Sequence, residues 1–104
     1  MRKEYKIIYL PIAYSDLNKI FDYICFELKA IVAAKNLLDK IDQEFLELSL
    51  FPFKGSIYKG ISEFKFEYRL LIIENYLVFY VINDDYIEIH RIIYSKRNLE
   101  DISL

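Results

Sequence analysis

The chain has 104 residues, of which 55% are hydrophobic and 29% charged. That supplies one core and is too short for two ordinary domains, so residues 1–104 are expected to form a single domain. Two glycines, two prolines, a net charge of −2 and a pI near 5.4 exclude a collagen-like or low-complexity chain, and weigh against a dedicated nucleic-acid binder, which is usually basic. The one cysteine, Cys25, cannot make an internal disulfide and reads as a small core residue between Ile24 and Phe26. No apolar run approaches the roughly 20 residues of a membrane span, and the stretch before Pro11 is too short for a signal peptide. No membrane contact is expected, and the expected location is the cytoplasm.

Residues 5–10, Tyr-Lys-Ile-Ile-Tyr-Leu, predict a first strand, rich in β-branched and aromatic side chains and stopped by Pro11. A helix follows, begun either by Pro11 in its first turn or by Ser15 as N-cap, and running to about Leu28. Its buried stripe is Leu17, Ile20, Ile24 and Leu28. The phase resets near Lys29. A second helix spans about residues 30–49, with Ala34, Leu37, Leu38, Ile41, Phe45 and Leu48 at helical spacing. So short a link predicts an antiparallel helical hairpin.

Phe51-Pro52-Phe53-Lys54-Gly55 ends that helix, and residues 54–62, which hold both glycines, read as a loop. Phe64, Phe66, Tyr68, Leu70 and Ile72 then alternate with Lys65, Glu67 and Arg69 as a strand would. Glu74-Asn75 is a turn. Residues 76–82 are apolar on both faces, as in a covered central strand. Asn83-Asp84-Asp85 is a second turn, and residues 86–94 are the last strand. Residues 95–104 are polar, with a short terminal helix expected to pack Ile102 and Leu104 back. The order β-α-α-β-β-β indicates an α+β fold, a helical hairpin on a mainly antiparallel sheet, with the first strand joining the sheet at an edge the sequence does not specify.

Two isolated glycines cannot cradle a phosphate, and one His with one Cys cannot build an ordinary zinc site, so no cofactor and no metal is expected. No serine lies in a nucleophile elbow. Cationic and phenolic side chains remain. Arg69 shares the polar face of its strand with Lys65. Arg91, between His90 and Ile92, shares by alternation a face with Ile87, Ile89 and Ile93, an awkward place for a guanidinium. It is paired with a carboxylate, turned out by a bulge, or lining a groove. Tyr94, Lys96 and Arg97 follow, and Lys54 and Lys59 come from the loop. Such residues could support metal-free phosphodiester cleavage, the cations stabilising phosphate charge while His90 or Tyr94 moves protons. Each also has an ordinary structural reading, as ion-pair partner, solvated charge or packing aromatic. Phe51, Phe53 and Tyr58 could form a partner-binding surface.

Five motifs in order carry a family resemblance. Residues 11–24 read Pro-Ile-Ala-Tyr-Ser-Asp-Leu-Asn-Lys-Ile-Phe-Asp-Tyr-Ile. Ala33-Ala34 follow, with Leu37 and Ile41, and then Leu50-Phe51-Pro52-Phe53-Lys54-Gly55. Tyr68-Arg69-Leu70-Leu71 precedes Asn75-Tyr76-Leu77-Val78-Phe79-Tyr80, and residues 89–98 read Ile-His-Arg-Ile-Ile-Tyr-Ser-Lys-Arg-Asn. Together they resemble the RelE/ParE superfamily of toxins from bacterial type II toxin–antitoxin modules.

The resemblance implies a compact growth-arresting toxin and a cognate antitoxin that binds it in a hetero-oligomer. It also implies one of two targets: the ribosome with its mRNA, cut by a RelE-like endoribonuclease, or DNA gyrase, blocked by a ParE-like toxin not known as a nuclease. By position, Arg69, Arg91 and Tyr94 match residues that act in the ribonuclease branch, with Lys54, Lys65 and His90 as weaker matches. That branch is markedly basic, whereas this chain is net acidic, and the residue runs at 75–80 and 91–97 look nearer to ParE. A gyrase-type block therefore ranks above ribonuclease activity, and a homologue that only binds antitoxin is the third reading.

Overall fold

The computed structural model describes residues 3–59, 66–97 and 104. Strand β1 (Lys6–Tyr9) passes through Leu10 into helix α1 (Pro11–Asp22). Pro11 takes the first helical turn, where its missing N–H is no loss and its fixed φ suits the helix; Ser15 lies inside the helix. The helix does not run on regularly to Leu28. After Asp22 it widens into a π turn (Tyr23–Glu27), which keeps Ile24 in the core but turns Leu28 outward, 55% exposed. Leu17 and Ile20 are half-buried against the core, so Leu28 is the one member of the expected stripe that fails. Lys29 adopts a left-handed φ of 52°, and the Ala30 N–H donates to the Ile24 carbonyl at 3.0 Å, reversing the chain.

Helix α2 (Ile31–Leu50) buries Ala34, Leu37, Ile41, Phe45 and Leu48 at steps of three and four. The expected loop after it is more ordered than composition suggests. A single 3₁₀ turn (Pro52–Lys54) leads into a two-residue strand, β2 (Ser56–Ile57), absent from the sequence reading. Strand β3 (Arg69–Ile73) begins later than the alternation predicts. Phe66 lies before it, half-exposed, and residues 60–65, including Lys65, fall outside the described residues. Strands β4 (Tyr76–Ile82) and β5 (Tyr86–Tyr94) match the expected limits. Glu74, at φ 52°, closes the turn between β3 and β4. The expected terminal helix falls on residues 98–103, outside the described residues, while Leu104 packs against the sheet.

The sheet order is β1-β5-β4-β3-β2, antiparallel throughout except for the parallel β1–β5 pair. Both helices lie on one face, α1 along β5 and α2 reaching β1 and β3. Their apolar residues join Leu71, Ile73, Val78, Tyr80, Ile87, Ile89 and Ile92 in the main core. The opposite face carries a second cluster of Tyr68, Leu77, Phe79, Val81 and Ile93, joined by Tyr58 and Leu70. β4 is therefore covered on both sides, which is why its sequence is apolar without alternation.

Two face assignments change. Arg69 has the parity of Leu71 and Ile73, so it lies on the helix side and not on a polar face. In β5, Phe79 pairs with Arg91 but Tyr80 pairs with Ile89, so His90 is the extra residue of a β-bulge. The bulge shifts the alternation. Ile87, Ile89 and Ile92 face the helices and Ile93 the other cluster, so Arg91 does not share one face with Ile87, Ile89 and Ile93.

Candidate functional site

β1 accompanies β5 only as far as Ile89, whose carbonyl accepts the Leu10 N–H at 3.0 Å. There the chain turns into α1, and Asp16 meets the edge of β5 that β1 has left. One carboxylate oxygen of Asp16 accepts the Arg91 Nε–H at 2.7 Å and the Ile92 N–H at 3.1 Å, while the other accepts Arg91 Nη2–H at 3.0 Å. Both side chains are about nine-tenths buried. The fork of the guanidinium suits a carboxylate, and the third bond satisfies a backbone N–H that no neighbouring strand reaches. Hydrogen bonding to Asp16 raises the Arg91 pKa above its ordinary value, so the cation is permanent. Two of the sequence-level alternatives hold together: Arg91 is paired with a carboxylate, and a bulge aims it there.

Arg69 serves another structure. Its Nη1–H donates to the Gly55 carbonyl at 2.7 Å, and its guanidinium lies 4.8 Å from the Phe53 ring centroid. Beneath the same turn, the Gly55 N–H donates to Tyr80 Oη at 2.9 Å and Tyr80 O–H donates to the Pro52 carbonyl at 2.8 Å. Tyr80 is fully buried, and desolvation raises its pKa. Gly55 is required by the close approach, because a Cβ there would sit 2.7 Å from the Leu70 carbonyl oxygen.

Tyr94 stands at the far end of the sheet, its ring 5.8 Å from that of Tyr76, and 44% exposed. It lines a groove between α1, the π turn, α2 and the β3–β4 turn, together with Ile20, Ile24, Leu37 and Tyr76. Arg69 is level with Tyr80 and Tyr94 with Tyr76, on opposite sides of β4. At about 3.3 Å per residue, those four steps separate them by roughly 13 Å along the strands. The structure therefore does not bring Arg69, Arg91 and Tyr94 to one point.

His90 is buried on the other face. Its Nδ1 is 2.9 Å from Tyr68 Oη, its Nε2 is 3.4 Å from Glu88 Oε1, and the Phe66 ring stands edge-on to it at 5.6 Å. Burial first, then the Glu88 charge, raises the Tyr68 pKa. Lys54 bridges Glu44 at 2.8 Å and Glu47 at 3.2 Å. Lys59, Lys96 and Arg97 are exposed. Among the described residues, no group of His, Cys, Asp or Glu could hold a metal ion, and no helix is long and apolar enough to cross a membrane.

Asp16 and Tyr80 are the residues that sequence reasoning missed. The awkward placement of Arg91 was a signal that a carboxylate must exist, but nothing in the linear order selects one 75 positions away.

A family model described as the ParE toxin of the type II toxin–antitoxin system parDE matches residues 7–99. Among solved structures, a chain of the chromosomal ParDE toxin–antitoxin system from P. aeruginosa superposes with a TM-score of 0.71 at 20% identity, covering 89% of this chain and 98% of that one. That likeness is one of fold. No curated protein matches the chain.

Proposed function

The chain belongs to the ParE toxin family of type II toxin–antitoxin systems, and we propose that it arrests growth in the cytoplasm by gripping DNA gyrase, not by cutting RNA. As a toxin of such a module it has a cognate antitoxin as partner. The observation that carries the choice of target is the Asp16–Arg91 pair. A guanidinium that stabilises charge on a scissile phosphate must reach that phosphate. Here its Nε and Nη2 are held by one buried carboxylate, and withdrawing it would leave Asp16 buried without its counter-ion. Arg69 is likewise engaged with the turn at Gly55, and the net charge of −2 opposes docking on a polyanion.

Purified toxin should abolish supercoiling of relaxed plasmid by gyrase, and added antitoxin should restore it. At the same toxin concentration, mRNA on programmed ribosomes should stay intact. Full supercoiling with toxin in excess, or mRNA cut in the ribosomal A site, refutes the proposal.

A further inference from the structure

We propose that His90 is a positioning residue: clamped on the face of the sheet away from the helices, it fixes the bulge from which Arg91 reaches Asp16. The apolar residues on either side set the frame. Ile89 pairs with Tyr80 and Ile92 with Val78, and all four lie in the main core. Between them, His90 and Arg91 share the one place opposite Phe79. Moving the extra residue one step towards Ile89 would turn His90 against Tyr80, inside the main core. Moving it one step the other way would turn Arg91 against Val78, in the same core. Either slip leaves Ile87, Ile89, Ile92 and Ile93 on their faces, so the apolar pattern does not by itself place the bulge.

Polar contacts place it. His90 Nε2 faces Glu88 Oε1 at 3.4 Å, and Nδ1 faces Tyr68 Oη at 2.9 Å. An ionised carboxylate only accepts, so Nε2 carries the ring hydrogen, and in the neutral ring Nδ1 is left to accept the Tyr68 O–H. Asn83 Nδ2 donates to the same Glu88 oxygen at 3.3 Å and so steadies the carboxylate. Tyr68 is 3% exposed, and the Tyr68 and Phe66 rings stand edge-on to the imidazole at 5.0 and 5.6 Å. The Tyr68 carbonyl accepts the Tyr58 N–H at 2.9 Å, and the Tyr58 ring stands edge-on to Phe79, the residue opposite the bulge. A bulge moved by one residue would break both contacts of the imidazole and take its acceptor from a buried phenol, a cost the apolar frame cannot offset. The clamp at His90 therefore does from one face what Asp16 does at the strand edge: each holds one of the two residues that share the place opposite Phe79.

The wild-type protein gives the first test. Nitrogen NMR in mildly alkaline buffer should find His90 as the Nε2–H tautomer; the Nδ1–H tautomer overturns the proposal. The second test uses Tyr68→Phe, which removes one O–H on the face away from α1 and keeps the ring. Solvent exchange of the Arg91 Nε–H should quicken at least about fivefold more than exchange of the β4 amides, because the pair with Asp16 loosens before the sheet does. A smaller difference overturns the proposal, since Tyr68 would then add only to global stability. Urea unfolding of Tyr68→Phe, Asp16→Asn and the double variant gives an independent reading. Two side chains with no shared role should act additively. We expect the unfolding constant of the double variant to depart more than about threefold from the value that the two single changes predict; agreement within that factor overturns the proposal.

Discussion

Replacing Asp16 by Ala should be the most damaging single change away from the apolar core. The substitution removes three hydrogen bonds at once, leaving the Arg91 guanidinium buried without its counter-ion and the Ile92 N–H without its acceptor. Breaking a buried pair from one side costs about 3–5 kcal/mol, a large share of the roughly 5–15 kcal/mol that holds a domain together. For a chain of this length that lowers Tm by roughly 12–20 °C, taking about 4 °C per kcal/mol. Asp16→Asn, which keeps an acceptor for Ile92, should cost about half as much. The double variant Asp16→Leu with Arg91→Met removes both charges, and should recover at least about 1 kcal/mol relative to Asp16→Ala. Urea unfolding of the four proteins measures this directly. A cost below about 1 kcal/mol for Asp16→Ala would refute the buried-pair account, since that is the scale of an exposed ion pair. The pair also has a functional reading. Arg91→Met, at matched amounts of folded protein, should still block gyrase; loss of toxicity with the fold intact would make Arg91 functional and not structural.

Tyr80→Phe should cost about 2–3 kcal/mol in urea unfolding, because it leaves the Gly55 N–H and the Pro52 carbonyl without their partner. Gly55→Ala should be comparable, since the Leu70 carbonyl cannot yield easily. Lys54→Met should cost about 0.5 kcal/mol near neutral pH, the scale of a solvated pair. Hydrogen bonding to Lys54 holds the Glu44 pKa below its ordinary value, so this stabilisation is present above the unfolded carboxylate pKa and is lost as pH falls through the lower folded one. The difference between Lys54→Met and wild type should therefore vanish in acid unfolding series. Burial, assisted by the Asp42 charge, pushes Tyr9 up to about 12. Its folded pKa exceeds the unfolded value near 10, so its contribution is complete below 10 and falls away between 10 and 12. Ultraviolet titration should find Tyr9 ionising late, and Tyr9→Phe should flatten that alkaline loss of stability.

Periodic segments were legible because their burial is local in origin. The stripe of α2 follows from apolar residues at steps of three and four, and β4 announces itself as a strand covered on both faces. Pro11 and the Pro52-to-Gly55 segment mark ends that backbone geometry dictates. Leu28 was misjudged because a π turn changes the helical period, and the residues from Tyr23 to Glu27 give no local sign of it. Alternation with Lys65 and Glu67 puts Arg69 on a polar face, but in β3 Arg69 has the parity of the buried Leu71 and Ile73, and it is Ile72, of the other parity, that is exposed.

The sequence by itself determined the α+β class, the limits of β4 and β5, the apolar face of α2 and, through five motifs in order, the family. Only the tertiary structure decided what the cations do. One inserted residue at His90 re-aims Arg91, and the early end of β1 leaves a strand edge for Asp16 to fill. Arg69 and Tyr94 lie at opposite ends of the sheet for the same reason that Arg91 found a partner 75 positions away: strand register is a property of paired chains. Composition and periodicity record what each residue prefers, whereas an ion pair or a site records which preferences the fold brings within about 3 Å of one another.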